Sequence, residues 1–291
     1  MILEQILNGV MLGMVYALIA VGYSLVFGIL KLLNMAHGAI YAFGAHMALL
    51  AVSMHFGLPA AILFAAVTTG ILAACMDGVI LAPLRAKHAP NITCLISVMG
   101  VSYIIQNMMM ILFDSTKKNF PKLFDFGNVE IFGVTLTSAQ IAMFLIALVF
   151  LVLLTIIVNG TKIGLAMRAA RENSQVANLM GIDVRKIVTI TFFISGVCAA
   201  VAGVLVSGYY QMVYSTMGTE AGLKGFSAAV LGGIGVLHGS VIGGIVIGVA
   251  EALAVTFLGG SFRSSTAYIV LFIVLLIRPS GIFGKHDVDK V

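Results

Sequence analysis

The amino-acid sequence predicts an all-α, polytopic helical membrane protein. Its 291 residues are 61% hydrophobic and only 9% charged, whereas soluble domains carry roughly 25% charged residues. Apolar runs recur at lengths close to the about 20 residues that a membrane-spanning helix needs. The period-two alternation of an outer-membrane barrel is absent from the sequence. We therefore treat residues 1–291 as a single transmembrane domain solvated mainly by lipid.

Nine apolar runs define the predicted elements. They cover residues 6–28, 38–57, 60–83, 92–112, 139–158, 187–210, 225–236, 238–258 and 264–278. The seventh run is short and rich in glycine, and at about 1.5 Å per residue it does not cross a core of about 30 Å as a full helix. A re-entrant or broken helix there requires protein or water to cover its backbone. We expect eight or nine spans, one of them re-entrant or broken.

Loop charges predict the orientation of the bundle. The polar segment 159–186 holds five Lys and Arg against two acidic residues, so the positive-inside rule makes it cytoplasmic. The loop 113–138 balances three Lys against three acidic residues and is predicted to be external. With these assignments the N-terminus lies outside if the seventh run crosses, and its side stays open if that run is re-entrant.

Several function classes are disfavoured by the composition. The formal net charge of +5 comes from cations in short loops and near the C-terminus, which does not indicate nucleic-acid binding. The three cysteines are scattered through apolar runs and read as small buried hydrophobes. No His, Cys and carboxylate set has metal-ligand spacing. The phosphate-binding pattern G-x-x-x-x-G-K-[ST] is also absent from the sequence, so ATP is not bound by that loop.

The polar segment 159–186 reads as two short helices. Gly164 to Glu172 form the first, Asn173 favours an N-cap of the second, and Gly181 suits the position after its last turn. Such a hairpin is either a docking element for a partner protein or an amphipathic stretch on the bilayer surface. Composition and spacing leave the two interpretations equal.

Two carboxylates lie within apolar runs. Asp77 is near the predicted inner end of its span, where it can reach Arg85 or Lys87. Glu251 is well inside the eighth run, where an ionisable group costs about 2.5–3.5 kcal/mol on insertion scales and indicates a functional site. It is predicted either to bind a substrate ammonium group or bias gating, or to be a structural acid hydrogen-bonded to Ser or Thr of a neighbouring span.

Three further polar side chains are candidates for the pathway. Asn34 and His37 lie between the first two spans, at the predicted cytoplasmic end. They either brace the mouth of the pathway, or pair with the broken seventh segment through His238, or form a turn with an Asx-type hydrogen bond before a helix. Tyr16 either faces the pathway or supplies bulk with a hydroxyl partner.

Motifs along nearly the whole chain resemble one family. The segment 164–182, the sequence Asn34-Met35-Ala36-His37-Gly38, the glycine-rich 226–235 and the ending 279–284 are similar, in this order, to permeases of branched-chain amino-acid ABC importers of the LivH type. The same motifs occur in related permeases for urea, short amides and other amino acids. The resemblance is therefore more specific for the family than for the substrate.

This resemblance implies a division of labour. The chain is expected to form the membrane core with a homologous second permease or a second copy of itself, in lipid of the bacterial inner membrane. Two cytoplasmic ATP-binding-cassette ATPases and a periplasmic substrate-binding protein complete the importer, with ATP and Mg²⁺ on the ATPases and no cofactor or nucleic acid on this chain. The chain is then not an enzyme.

The resemblance also suggests which residues carry the function. Those expected to couple to the ATPase are Gly164, Met167, Arg168, Ala169, Glu172, Ala177, Met180 and Gly181. Those expected in the substrate pathway or gate are Tyr16, Asn34, His37, Gly232, Gly233 and Glu251. The alternative is a stand-alone secondary transporter or channel with Glu251 as its proton or ion site. Such carriers commonly hold several interacting ionisable groups, and the sequence leaves Glu251 nearly alone, so we expect the importer.

Overall fold

The computed structural model describes residues 2–122, 127–131 and 134–284, and helices dominate them. The helices are α1 (Ile2–Leu30), α2 (His37–Ser53), α3 (Leu58–Met76), α4 (Ala82–Ala86), α5 (Asn91–Phe113), α6 (Ser138–Gly160), α7 (Lys162–Glu172), α8 (Ser174–Leu179), α9 (Val184–Tyr210), α10 (Met217–Gly232), α11 (Leu237–Leu258) and α12 (Arg263–Ile277). A π-helical segment, Asp77–Leu81, joins α3 to α4, and a 3₁₀ turn, Gly260–Phe262, precedes α12. The all-α prediction is confirmed.

Within the described ranges, four short strands accompany the helices. They are β1 (Lys118–Asn119), β2 (Asn128–Ile131), β3 (Val134–Thr137) and β4 (Met212–Val213). β1 pairs antiparallel with β4, and β2 pairs antiparallel with β3. All four lie in or beside connections of the long helices, so they tie loops together at one end of the bundle.

Among the described residues, seven helical stretches are long and apolar enough to cross a membrane. They are Ile2–Leu30, Leu58–Ala86, Asn91–Phe113, Ser138–Gly160, Val184–Tyr210, Leu237–Leu258 and Gly260–Ile277. The apolar α2 has 17 residues and α10 has 16. The polytopic character of the prediction is confirmed. Its count of eight or nine spans is not, because it requires one or both of these shorter helices to cross the membrane as well.

The seventh apolar run of the sequence begins later than the helix to which it belongs. Residues 225–236 cover only the second half of α10 and the turn after it, while the helix begins at Met217. Glu220 and Lys224 interrupt the apolar pattern, which hides the first half of the helix from a hydropathy reading. Gly233 and Gly235 have φ of +99° and +88°, a backbone region that glycine adopts without steric cost, and they turn the chain tightly into α11.

Helix α1 forms the centre of the bundle. Its residues from Gly9 to Gly28 are almost all buried, because α11, α9, α10 and α6 surround it. Close approach depends on glycine, since a Cβ at Gly13 would lie 2.7 Å from the Cα of Ile245. Small residues that let backbones meet are the usual basis of helix packing in lipid, where the hydrophobic effect does not drive association.

The bundle has two distinct ends. The elbow, defined here as α7 and α8, lies at the end where α1 finishes, because Arg171 donates a hydrogen bond of 2.7 Å to the Gly235 carbonyl beside Gly28. We name this the elbow end. The strand end carries the β-strands and the start of α1, where Gln140 donates a bond of 2.7 Å to Asn8. The N-terminus and the described part of loop 113–138 therefore share one end, as expected for a crossing seventh segment.

Candidate functional site

Glu251 is the centre of a buried ionic cluster built by four separate elements. Its Oε1 accepts hydrogen bonds from Lys224 Nζ of α10 at 3.0 Å and from Arg263 Nε at the start of α12 at 2.9 Å. Its Oε2 accepts a bond of 2.9 Å from the Tyr16 hydroxyl of α1. Lys224 Nζ also lies 3.3 Å from the Tyr16 hydroxyl. The exposed fractions of the side chains are 1% for Glu251, 8% for Lys224 and 42% for Arg263.

This cluster corrects the prediction that Glu251 is nearly alone. Its partners are Lys224, Arg263 and Tyr16 rather than Ser or Thr of a neighbouring span. Sequence reasoning missed both cations, although the charge of Lys224 within a glycine-rich helix was a usable signal. An unpaired cation at such a position is costly in lipid and indicates an acidic partner in the bundle. The argument against an ion-coupled carrier from the isolation of Glu251 is thus wrong.

A cavity of about 200 Å³ borders the cluster at the strand end. We name it the tyrosine cavity, and its wall consists of Leu12, Tyr16, Tyr41, Val206, Tyr210, Met212, Tyr214, Met217, Glu220, Ala221, Lys224 and Arg263. The hydroxyl of Tyr41 is buried and has no hydrogen-bond partner in the part of the chain that the structure describes. Arg263 lies over the ring of Tyr210, with its guanidinium carbon 5.4 Å from the ring centroid. The cavity thus combines cations, hydroxyls and an apolar wall.

A second cavity of about 150 Å³ lies on the other side of Arg263. Asn8, Gln140 and Glu251 contribute polar groups to its wall. Arg263 borders both cavities, and Glu251 holds it between them. The ionic cluster therefore separates two spaces in the strand-end half of the bundle.

Asn34 and His37 lie deeper than predicted. The His37 ring is fully buried against Gly22, two turns before α1 ends, because residues 31–36 fold back into the bundle. Asn34 Oδ1 accepts a bond of 3.2 Å from the Ala36 amide, which confirms the Asx-type turn before α2. His37 Nδ1 lies 3.3 Å from Ser195 Oγ and does not bond to His238. The placement at the bundle end was wrong because sequence periodicity carries no information on re-entry.

Gly232 and Gly233 belong to the helical hairpin of α10 and α11. A Cβ at Gly232 would lie 2.0 Å from the Gly239 carbonyl oxygen, and one at Gly233 would lie 2.5 Å from the Gly284 amide nitrogen. These contacts are at the elbow end, so the structure does not bring either glycine to Glu251. Of the predicted pathway residues that are distant in the sequence, it brings Tyr16 and Glu251 together.

The elbow is fixed to the bundle through its first helix. A Cβ at Gly164 would lie 2.1 Å from the Val158 carbonyl oxygen, so α7 packs closely on the last turn of α6. Arg168 donates a hydrogen bond to the same carbonyl. Met167 is buried, Ala169 is half-buried, and Arg171 reaches the α10–α11 turn. Close packing at Gly164, the hydrogen bonds of Arg168 and Arg171, and the burial of Met167 thus hold the elbow in place.

The second helix of the elbow presents an apolar tip. Asn173 Oδ1 accepts bonds of 3.0 Å from the amides of Gln175 and Val176, which confirms the predicted N-cap. Gly181, with φ of +83°, follows the helix as predicted. Ala177 faces inward and Glu172 is exposed. We define the elbow tip as Val176, Leu179 and Met180, of which the last two are 86% and 79% exposed.

The buried carboxylate of Asp77 connects the elbow end of α3 to α9. Arg85 Nη2 donates a bond of 2.7 Å to its Oδ1, which confirms one of the two predicted partners. Thr189, one turn after the start of α9, donates a bond of 2.8 Å to Oδ2. At the same end, the pKa of the exposed Asp183 is lowered because its carboxylate accepts the Lys186 amide at the start of α9.

The described helices form a bundle long and apolar enough to cross a membrane. It has an internal ionic cluster beside cavities and an amphipathic elbow at one end, which is the architecture of a membrane permease. The family model of the branched-chain amino acid transport system permease component matches residues 5–278. The chain belongs to this family. It is a permease component of an ATP-binding-cassette importer and a multi-pass inner-membrane protein rather than an enzyme.

Individual relatives agree over nearly the full length. The chain is 36% identical to the high-affinity branched-chain amino acid permease LivH of Salmonella typhimurium, with 99% of this chain and 97% of the relative covered. It is 37% identical to BraD of Pseudomonas aeruginosa, with 99% and 98% covered. A chain in the structure of PsaBC from Streptococcus pneumoniae with Fab has the same fold, with a TM-score of 0.53, 14% identity, and 95% and 92% covered.

Proposed function

We propose that this permease carries branched-chain amino acids, and that its elbow receives the movement of a cytoplasmic ATPase. The proposed assembly contains two permease chains, two ATPase subunits that bind ATP and Mg²⁺, and a periplasmic binding protein. The elbow end is then cytoplasmic and the strand end periplasmic. The observation that carries the coupling role is that the elbow is tightly attached to the bundle while its tip remains exposed.

Attachment matters because a movement at the elbow must reach the pathway. Arg171 bonds to Gly235, which lies in the turn between α10 and α11. These two helices carry Lys224 and Glu251 of the ionic cluster. A displacement of the elbow therefore acts on the hairpin that holds the cluster. This continuous set of contacts supports coupling between ATPase closure and the strand-end cavities.

The chemistry of the tip favours a protein partner. An exposed apolar tip flanked by charged residues fits a hydrophobic groove on another protein, as helices commonly do. The alternative occupant is the bilayer surface, where amphipathic helices place their apolar side among the acyl chains. Attachment of α7 by Gly164 and Arg168 supports the partner, because a lipid-lying helix needs no such fixation.

A charge placed on the tip tests the coupling role. Leu179→Glu is expected to reduce copurification of the ATPase and its stimulated activity by at least tenfold, because a carboxylate cannot enter an apolar groove without losing its hydration. Gln175→Glu is the matched control, since it adds the same charge to an exposed polar position of α8. Wild-type copurification and ATPase stimulation in Leu179→Glu would refute the role.

The energy source separates the importer from a secondary transporter. Proteoliposomes with the complete complex are expected to take up radiolabelled leucine only when ATP reaches the ATPase subunits. A proton gradient imposed without ATP should give no uptake above the background of empty vesicles. Full uptake under the proton gradient alone would instead favour ion coupling through the cluster of Glu251, Lys224 and Arg263.

A further inference from the structure

We propose that the tyrosine cavity is a binding site for the zwitterionic end of an amino acid in transit, with Arg263 and Lys224 taking its carboxylate and Glu220, on the same wall, its ammonium group. This site rests on the proposed function and adds to it a place and a recognition chemistry within the bundle. It lies in the half opposite the elbow, so it is distinct from the coupling surface.

The two cations are already arranged around a carboxylate. Lys224 Nζ and Arg263 Nε both contact the same oxygen of Glu251, at 3.0 and 2.9 Å. Their nitrogen atoms are therefore close enough together to share one carboxylate of a ligand. Arg263 is the accessible member, since 42% of its side chain is exposed and it borders both cavities. A guanidinium binds carboxylates with two donors in a fixed geometry.

A second observation points independently to a ligand. Tyr41 forms part of the cavity wall, and its fully buried hydroxyl has no hydrogen-bond partner among the described residues. Burying such a group without a partner is costly, so native proteins seldom leave it unsatisfied. A polar atom of a ligand in the cavity would remove this cost. Apolar side chains such as Leu12 and Val206 on the same wall offer a surface for an aliphatic side chain.

Charge balance selects a zwitterion over a simple anion. The ionisable groups of the cluster and the cavity wall, tyrosines aside, are two cations, Lys224 and Arg263, and two carboxylates, Glu220 and Glu251. The two charged ends of a zwitterion can each take the place of one partner in an internal ion pair, so every charge in the site stays paired. A lone carboxylate or ammonium leaves one charge unmatched in a poorly solvated site. The cavity of about 200 Å³ is a volume suited to a small amino acid.

Binding analogues test the recognition of the two charged ends. The complete permease–ATPase complex in nanodiscs, without the binding protein, is titrated with radiolabelled L-leucine and competed with leucinamide and 4-methylpentanoate. Leucinamide lacks the carboxylate and 4-methylpentanoate lacks the ammonium group. Each analogue is expected to compete at least tenfold more weakly than leucine, the loss expected for one charged hydrogen-bonded pair. Equal competition by all three, or no saturable binding of leucine to the complex, overturns the proposal.

Variants connect this binding to the named side chains. Arg263→Met and Lys224→Met are expected to weaken leucine binding at least tenfold, while Arg263→Lys retains part of the affinity because it keeps the charge. Lys122→Met is the matched control, since it removes an exposed cation of the connection between α5 and α6 and lies outside the cavity wall. A purely structural role predicts lower yield of the complex but unchanged preference for leucine over leucinamide in the protein that remains, and that result refutes the site.

Failure of this site and failure of the proposed function give different results. If ATP-driven leucine uptake is normal and Leu179→Glu abolishes it, while the Arg263 and Lys224 variants bind leucine as the wild type does, only the site is refuted. If the wild-type complex takes up no branched-chain amino acid with ATP, the proposed substrate is refuted, whatever the analogues show.

Discussion

Neutralising Glu251 should destabilise the permease more than removing either of its cationic partners. Glu251→Gln leaves Lys224, which is 8% exposed, without a negative partner in a buried site. Breaking a buried ion pair in this way costs about 3–5 kcal/mol. We expect about 3 kcal/mol, the lower limit, because Arg263 is partly exposed and a glutamine oxygen still accepts hydrogen bonds. Lys224→Met should cost less, about 1.5 kcal/mol, since Glu251 then keeps Arg263 and Tyr16 and loses one charged bond.

The assay is the heat-induced loss of monodisperse permease in one detergent. At about 2–4 °C per kcal/mol, Glu251→Gln should lower the midpoint by about 6–12 °C and Lys224→Met by about 3–6 °C. The double variant should lose less stability than the two single variants lose in total, because it removes both charges of one pair. Glu172→Gln, which neutralises an exposed carboxylate, is the control. A Lys224→Met protein less stable than Glu251→Gln would refute the reasoning.

Two further perturbations address packing and the elbow-end cluster. Gly38→Leu should strongly reduce the yield of folded protein, because a Cβ there would lie 2.3 Å from the Gly218 carbonyl oxygen; Gly100→Leu, at an open position of α5, should leave yield unchanged, and equal yields in purification trials would contradict this. Asp77→Asn should lower stability by about 3 kcal/mol, since it removes the charge that pairs with Arg85; a midpoint within 2 °C of the wild type (about 1 kcal/mol) would show that this pair is dispensable.

The prediction succeeded where local chemistry decides the structure. The two helices of the elbow follow from a side chain that caps the backbone at Asn173 and from a residue that tolerates positive φ at Gly181. Both effects act within a few residues, so one sequence suffices to recognise them. Long apolar runs likewise predict helices in lipid, because each helix satisfies its own backbone hydrogen bonds.

The prediction failed where distant residues meet. Glu251 and Tyr16 are separated by 235 positions, and no periodicity indicates that their helices pack side by side. Lys224 was overlooked because an apolar-run reading starts the element at residue 225 and discards the charges just before it. The depth of His37 was misjudged for a similar reason. The contact of His37 with Ser195 of α9, which packs on α1, is what shows that residues 31–36 re-enter the bundle.

The proposed coupling and the proposed binding site meet in one structural unit. The hairpin of α10 and α11 carries Lys224 and Glu251 toward the strand end, and its turn at Gly235 is bonded to Arg171 of the elbow. Glycine contacts at Gly232 and Gly239 keep the two helices close enough to move as one body. An elbow displaced by the ATPase would therefore shift both charges of the pair together relative to Arg263, which belongs to the start of α12. Widening the gap between Lys224 of the hairpin and Arg263 would release a carboxylate bound between them, so the two cations that hold the amino acid would also respond to ATP.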